Sequence, residues 1–350
     1  MEDGDETIHI INGAELELVS NQDTPISAQQ GIRIDGSTVT ATTNDDSHQA
    51  LYTYEGGIKI NNSTVKAYAE SSSSAAVRAG VSSVEITGDS DVTATGLYGI
   101  YAYSDISISG GKVTATGTDG NGSIGISSNM GKVVITGGEV TAAGGDTTGS
   151  DAGSVGINAI GVSVTGGTVI ATGGAATGDG AVSIGMSTLN ESILISGGKV
   201  EAAGGSEAVQ AFYEVIVSPQ DGKGIKVTAG ETASGAAEIN GSPFTAETEI
   251  TSLVANKKYF RSEAVEVTSP AAADIYVGGI GLTGTADDPA CALTDADGAV
   301  MTTGAAEDNY NIKWDGSTLT LNSAKITQDS YVFFTTKRPP STVKPVLPLN

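Results

Sequence analysis

The sequence predicts an all-β protein: a right-handed parallel β-helix of about eight coils with three short strands per coil, followed by a small β-rich C-terminal unit. The phrase Ile-x-Ile-x-Gly-Gly-x-Val-x-Ala-x-Gly recurs at Ile106–Gly117, Val133–Gly144, Val162–Gly173 and Ile193–Gly204. Apolar residues alternate with other residues inside each copy, which is the periodicity of β-strands. Glycine accounts for 48 of 350 residues, a content that suits short strands joined by tight turns.

Each repeat contains three strand-like segments. The first is an apolar residue among small ones, as in Ala50–Tyr54, and the other two are the Ile-x-Ile pair and the Val-x-Ala pair. The two glycines between the second and third segments supply the positive φ that a sharp corner needs. A hairpin meander would also give short alternating strands, but it would not keep the same segment order and corner glycines. Stacked parallel coils demand that sameness, because each residue lies over its equivalent in the next coil.

The repeat also predicts which side chains fill the interior. The first segment contributes one apolar residue per coil, at Ile26, Leu51, Val77, Ile100, Ile126, Ile157, Met186 and Val209. The second segment contributes a ladder at Ile34, Ile60, Ile86, Ile108, Ile135, Val164 and Ile195. The length variation falls in the loops before each first segment, at Thr43–Gln49, Glu70–Ser74, Thr118–Gly122, Asp146–Gly153 and Gly174–Gly180. A rigid scaffold with variable loops along one edge is a common place for binding.

We divide the chain into four parts: β-helix repeats at 1–218, an irregular last coil with closing strands at 219–268, a small β unit at 269–335 and a Pro-rich tail at 336–350. Closing strands are expected because an uncovered coil presents an open edge. In the small unit, Trp314–Thr320 echoes Ile34–Thr40, so we expect it to begin another solenoid that stops after about one coil. The prolines make the tail extended.

Charge and cysteine content exclude several classes of function. The chain has 41 acidic and 17 basic residues, a formal net charge of −24, which repels phosphate backbones and anionic membrane surfaces. Because of this charge, we do not expect nucleic-acid binding. No apolar run approaches the roughly 18–20 residues that span a bilayer, so we do not expect membrane insertion. Cys291 is the single cysteine, which excludes a disulfide framework. We interpret it as a small, half-buried apolar residue.

The sequence shows no catalytic constellation. A polysaccharide hydrolase needs paired carboxylates on neighbouring coils, and a lyase needs a basic residue beside a carboxylate-bound calcium. The outward row of the first segment has no carboxylate; it reads Ser27, Tyr52, Arg78, Tyr101, Ser127, Asn158, Ser187 and Gln210. His9 and His48 are far apart in the repeat order and are interpreted as surface residues. We expect a non-catalytic protein, with a divergent polysaccharide lyase or hydrolase as an alternative.

An aromatic cluster is the strongest candidate for binding. Tyr52 and Tyr54 lie on one coil, Arg78 on the next, and Tyr101 and Tyr103 on the third. Stacked at strand spacing, they predict a carbohydrate-binding platform, because sugar rings stack on aromatic faces and a guanidinium binds a carboxylate in bidentate fashion. The alternative is that tyrosines simply suit β-surfaces, with Arg78 stacked between them.

The loops before the first segments offer a candidate metal site. Asp119, Asn121, Asp146 and Asp151 lie on one predicted side of the rod. Calcium binds six to eight oxygens from such side chains and from backbone carbonyls. These residues therefore predict calcium as a cofactor, whereas the alternative is that they are solvated turn residues.

With its ISGGKVTATG-type repeats and the segment SPFTAETEI…KKYF after them, the chain resembles secreted Firmicutes surface proteins, the carbohydrate-binding, pectate-lyase-like right-handed parallel β-helix proteins. The resemblance covers roughly residues 8–265, and Asp274–Thr327 is similar to the lead-in of a further module. It implies a secreted or cell-surface location and, in some members, binding of acidic polysaccharide with calcium. The sequence itself shows no signal peptide and no LPxTG-type anchor.

We therefore expect a surface module whose partner is an extracellular polysaccharide or another host or bacterial surface component. A structural stalk or adhesin segment that contacts protein partners is the alternative.

Overall fold

The computed structural model describes residues 7–69, 74–220, 222–267, 275–285 and 287–327, together with the backbone of Phe333–Thr335 and Lys344–Pro345. The predicted tail at 336–350 lies outside these residues except for Lys344–Pro345, and so does most of the loop Glu70–Ser74. The chain divides into two compact units, Met1–Val267 and Thr268–Asn350. Each unit has a hydrophobic core of its own.

The first unit is a parallel β-helix, which confirms the predicted fold class. Three parallel sheets run along it. We number the coils 1 to 8 in chain order, and each coil contributes one strand to every sheet, so coil 1 contains the first strand named for each sheet below. The first sheet contains Thr7–Ile10, Gly31–Asp35, Ile58–Asn61, Val84–Thr87, Ile106–Ile108, Lys132–Ile135, Gly161–Val164, Ile193–Ile195 and Val215–Val217. The second contains Glu15–Ser20, Thr38–Thr43, Thr64–Ala69, Asp91–Gly96, Lys112–Gly117, Glu139–Ala143, Thr168–Thr172 and Lys199–Ala203. The third contains Ile26–Ala28, Leu51–Thr53, Ala75–Ala79, Tyr98–Ala102, Ser123–Ser128, Gly153–Ala159, Val182–Thr188 and Glu207–Gln210.

Equivalent residues of neighbouring coils lie over one another. Ile34 pairs with Ile60, and Ile60 pairs in turn with Ile86. All seven residues of the predicted second-segment ladder are at most 1% exposed, and the first-segment residues are at most 4% exposed. Both predicted ladders are therefore confirmed. Each fully buried Ile, Leu or Val contributes about 1.5–3 kcal/mol of transfer free energy. Most coils bury two such residues from the first sheet, as at Ile58 and Ile60, and one from each of the other two sheets.

The corner between the first and second sheets uses two glycines for different reasons. The second glycine of each pair has a φ between 71° and 81°, at Gly111, Gly138, Gly167 and Gly198. Glycine adopts this conformation without the cost that a Cβ imposes. The first glycine is required by close packing: a Cβ on Gly137 would lie 2.6 Å from the carbonyl oxygen of Ser109 in the coil below.

Antiparallel strands cover the C-terminal end of the β-helix, within the segment 219–268. Tyr259–Glu266 pairs with Lys199–Ala203 and with Lys223–Gly230. Two short strands add to this end, Ala237–Glu238 in the second sheet and Thr248–Glu249 in the first, and a helical turn spans Thr251–Val254. Phe244, Ile250, Val254 and Phe260 are buried there and extend the core. Within the described residues, no helix has the length and hydropathy needed to cross a membrane.

The second unit contains two small sheets. One is formed by Ile275–Val277, Ile280–Leu282 and Phe333–Thr335, and the other by Ala290–Thr294, Val300–Met301, Ile312–Trp314, Leu319–Leu321 and Lys344–Pro345. Its core includes Trp314, which is 4% exposed.

The segment Trp314–Thr320 does not form a coil corner like the one it echoes. Trp314 pairs with Leu319 across an antiparallel hairpin. The physical difference lies in the aspartate. Asp35 accepts a hydrogen bond from Asn61 of the next coil, whereas Asp315 accepts the N–H groups of Ser317 and Thr318 and so closes its own turn.

Candidate functional site

Tyr52, Arg78 and Tyr101 form one row across coils 2, 3 and 4 on the outside of the third sheet. Tyr52 pairs with Arg78, and Arg78 pairs with Tyr101. The alternate residues of the same strands point into the core and are fully buried. Because the row crosses parallel strands, its side chains are spaced by about 4.8 Å per coil. The structure therefore brings together three of the five predicted platform residues in a line along the rod. We call these three residues the Tyr–Arg row.

The guanidinium of Arg78 lies between the two aromatic rings of this row. Its Cζ atom is 6.0 Å from the ring centroid of Tyr52 and 5.3 Å from that of Tyr101. These distances allow cation–π attraction, which holds the guanidinium in place. The Nε atom is buried and has no hydrogen-bond partner. The guanidinium is therefore already partly desolvated.

Arg78 differs from the other described arginines in its charge environment. Arg33 forms an ion pair with Asp35, and Arg261 forms one with Glu263. Within the described ranges, no carboxylate pairs with Arg78. In a chain with a net charge of −24, a cation without a carboxylate partner is a local positive site for an anion.

Tyr98 also belongs to this surface, although the repeat pattern did not predict it. Its ring meets that of Tyr101 edge to face, with centroids 5.6 Å apart and an interplanar angle of 68°. The intervening Gly99 comes so close to the second sheet that a Cβ there would lie 2.7 Å from the backbone nitrogen of Thr116. Burial raises the pKa of the Tyr101 hydroxyl, and Arg78 lowers it in part. The hydroxyl therefore stays protonated and able to donate a hydrogen bond at neutral pH.

Tyr54 and Tyr103 lie outside the Tyr–Arg row, at the corner that follows the third sheet. They are 49% and 40% exposed, and their backbone N–H groups bond to the carbonyls of the neighbouring coils below. Between them, coil 3 has Gly80, where an added Cβ would lie 3.3 Å from the Tyr52 hydroxyl oxygen. The predicted platform is therefore two lines of side chains: the Tyr–Arg row on the sheet and a second, interrupted line at its edge.

Beyond coil 4 the outward row becomes polar, and two of its four residues are buried. Tyr101 pairs with Ser127, which pairs with Asn158, and the row ends at Gln210. Ser127 and Ser187 are only 5% and 7% exposed. The row carries no carboxylate along its length, so it offers stacking surfaces and one cation but no acid–base pair. The aromatic and cationic part of this row is confined to coils 2 to 4.

The loops with the predicted metal ligands stack as an additional ladder beside the coils. Asp119 Oδ1 accepts the backbone N–H of Asp146 at 3.0 Å, and Asp146 Oδ1 accepts that of Ala175 at 2.7 Å. Asn121 Oδ1 accepts the hydroxyl of Thr147 at 3.2 Å, and Asp151 adopts a left-handed φ of 55°. Among the residues that the structure describes, no three His, Cys, Asp or Glu side chains group so as to hold a metal ion. The calcium site stays a prediction.

A protein-family model described as a beta helix repeat matches residues 106–129, 162–181 and 193–211. These stretches lie in coils 5, 7 and 8. No curated protein and no solved structure matches the chain. The matched repeats and the stacked coils together support a parallel β-helix protein.

Proposed function

We propose that this chain is a non-catalytic surface module that binds an extracellular polysaccharide bearing carboxylate groups, through the Tyr–Arg row and Tyr98. The observation that carries the proposal is the guanidinium of Arg78, held between two tyrosine rings without a carboxylate partner among the described residues. A sugar acid presents the two chemistries that this surface complements. Its ring stacks on a tyrosine face, and its carboxylate accepts two hydrogen bonds from a guanidinium.

The overall negative charge does not prevent such binding. Charges separated by more than about 8 Å are largely screened at physiological ionic strength, so the groups nearest the ligand dominate. The outward row has no carboxylate that would repel the ligand, and Arg78 supplies the nearby positive charge. The same lack of carboxylates supports binding without cleavage, because a hydrolase needs an acid and a base or nucleophile at the bond it breaks.

Binding should be measured with polygalacturonate, using its methyl ester as a neutral ligand of the same shape. The test variant is Arg78→Gln, and the matched control is Arg33→Gln, which removes an exposed arginine from the first sheet. Hydrogen bonds to a charged group contribute about 1.5–3 kcal/mol, so Arg78→Gln is expected to weaken binding by about 10- to 150-fold. Arg33→Gln and the wild type should bind equally, and the methyl ester should bind as weakly to the wild type as the acid does to Arg78→Gln.

The proposal fails if wild-type protein binds neither polymer, in calcium or in EDTA, or if Arg78→Gln binds polygalacturonate as well as Arg33→Gln does. The same samples should be assayed for new reducing ends and for unsaturated products. Product release that Arg78→Ala abolishes would instead establish a divergent lyase or hydrolase. Circular dichroism of each variant checks that the β-helix remains folded.

A further inference from the structure

A groove of about 540 Å³ lies on the outside of the first sheet, over coils 6 to 8 and the following strand Val215–Val217, away from the Tyr–Arg row. Its floor is a second outward row, in which Val134 pairs with Ser163, Ser163 with Leu194, and Leu194 with Ile216. All four side chains are half-buried. In coils 2 to 4 the equivalent positions are Arg33, Lys59 and Glu85, which are charged. The floor is therefore a mainly apolar strip, interrupted by Ser163, on an outward row that is charged in coils 2 to 4.

An ion pair forms one wall of the groove. Lys132 Nζ lies 2.6 Å from Glu191 Oε2, although these residues belong to different coils. The bridge passes over Gly161, where an added Cβ would lie 2.9 Å from the same carboxylate oxygen. Glycine at this position leaves room for the ion pair and keeps the wall close to the sheet. The groove is thus a structured depression.

Exposed apolar side chains continue from the other side of the groove. Tyr213 lines it and is 62% exposed, and its ring meets that of Phe212, 58% exposed, edge to face at 4.9 Å. Along the same corner of the helix, Leu189 and Met130 are 47% and 62% exposed. Exposed apolar side chains therefore lie both at the groove and along the adjoining corner of the β-helix. Exposed apolar patches mark interaction sites in soluble proteins.

The charged groups around the groove are mainly acidic. Of the described residues that line it, Lys132 alone is basic, and it is paired with Glu191. Glu247 also lines the groove, and Glu249 continues the floor row beyond Ile216. Hydrogen bonds from Thr251 lower the pKa of Glu249, so this end of the row stays negative at neutral pH.

We propose that this groove, which we call the coil 6–8 groove, binds a polypeptide segment whose apolar side chains are flanked by lysine or arginine. Its aliphatic floor takes up apolar side chains, and its acidic surroundings favour cationic neighbours. Sugars suit the floor less, because three of its four side chains, Val134, Leu194 and Ile216, offer neither hydrogen bonds nor flat aromatic faces. An anionic membrane surface would be repelled by the carboxylates around it. This proposal does not depend on the polysaccharide site.

A peptide-display selection tests the proposal directly, because it samples apolar and charged sequences together. Random peptides of about 12 residues, long enough to lie along the floor, are selected on the wild-type chain. Binding of synthetic versions is then measured by fluorescence anisotropy on three variants. Tyr213→Ser and Leu194→Ser remove groove side chains, while Ile170→Ser removes a 37% exposed apolar residue of the second sheet. Thermal unfolding of each variant shows whether the fold is kept.

The expected peptides combine apolar residues with lysine or arginine. They should bind Tyr213→Ser about tenfold or more weakly, because tyrosine is enriched among the interface residues whose truncation has an effect of this size. Ile170→Ser should bind them like the wild type. The proposal is overturned if no peptide is enriched, if the enriched peptides are acidic or lack apolar residues, or if Tyr213→Ser and Leu194→Ser bind them unchanged. Binding of wild-type protein to phosphatidylcholine or phosphatidylglycerol vesicles, with no peptide enriched, would equally overturn it in favour of a lipid surface.

Discussion

Two glycines of coil 6 test how tightly the coils are stacked. At Gly156, an added Cβ would lie 2.5 Å from the carbonyl oxygen of Gly185 and 2.5 Å from the backbone nitrogen of Thr172. At Gly153, three residues earlier in the same strand, the nearest atom is a methyl of Val182 at 3.9 Å. Neither glycine has a positive φ, so backbone conformation does not separate them. Gly156→Ala and Gly153→Ala are therefore a matched pair of variants that differ only in the room available for the added methyl group.

The expected stability changes have opposite signs. Ordinary contacts begin at 3.4 Å, so Gly156→Ala requires backbone shifts of about 0.9 Å (3.4 minus 2.5). Overpacking costs about 1–3 kcal/mol, and backbone atoms cannot rotate away, so we expect a loss of about 3 kcal/mol. Gly153→Ala should stabilise by about 0.4–1 kcal/mol, because alanine restricts the unfolded chain.

Guanidinium chloride unfolding measures both variants in the full chain. Far-UV circular dichroism follows mainly the larger β-helix, whereas fluorescence follows the second unit, because Trp314 is the single tryptophan. We expect Gly156→Ala to lower the midpoint of the circular dichroism transition and to leave the fluorescence transition unchanged. If Gly156→Ala unfolds within about 0.5 kcal/mol of Gly153→Ala, the neighbouring coils do not pack as closely as these distances require.

Three further predictions concern titration, reactivity and metal binding. Backbone hydrogen bonds from Ser317 and Thr318 lower the pKa of Asp315 in the folded protein. The ionised carboxylate therefore stabilises the second unit at pH values above the unfolded pKa of about 3.9. This stabilisation is lost as the pH falls through the lower pKa of the folded state. Asp315→Asn should lower the fluorescence midpoint at pH 7 and flatten its acid dependence, and an unchanged acid dependence would contradict this role. Burial raises the pKa of the Cys291 thiol, so iodoacetamide should alkylate it more slowly than glutathione at pH 8, and equal rates would contradict the half-buried position. If the predicted calcium site forms at Asp119 and Asp146, calcium should raise the thermal midpoint of the β-helix, and Asp146→Asn should abolish this rise. An unchanged midpoint in the wild type would contradict the site.

The coil architecture was predictable because it depends on periodicity alone. The recurring Ile-x-Ile and Val-x-Ala pairs define the inward ladders, and the corner glycines mark where the chain changes sheet. Ile34 and Ile135 lie in the core as expected, and Gly138 has the expected positive φ. In a stacked solenoid each residue packs against the equivalent residue of the next coil, so the sequence repeat also shows which residues are in contact.

The candidate surfaces were less predictable, because they depend on where strands end and bend. Tyr54 and Tyr103 are equivalent to Tyr52 and Tyr101 by alternation, but the strands end at Thr53 and Ala102 and place them at a corner. Tyr98 was not predicted because the close approach of the backbone at Gly99 is not visible in the alternation.

The coil 6–8 groove was not predicted either, and for a similar reason. Val134, Leu194 and Ile216 each look like an ordinary strand residue when a single coil is considered. Comparing the same outward position from coil to coil would have found them, since this position is charged in the early coils. The hairpin at Trp314–Thr320 shows that similar residues can fold differently. Asp35 accepts a hydrogen bond from Asn61 of the neighbouring coil, whereas Asp315 accepts hydrogen bonds from the N–H groups of its own turn.

A crystal structure of the chain with a short oligogalacturonate would settle the role of Arg78. We predict a sugar carboxylate bonded to the terminal nitrogens of Arg78, with a pyranose ring against Tyr52 or Tyr101. An oligosaccharide bound elsewhere on the β-helix, with Arg78 untouched between its two rings, would contradict the proposed function.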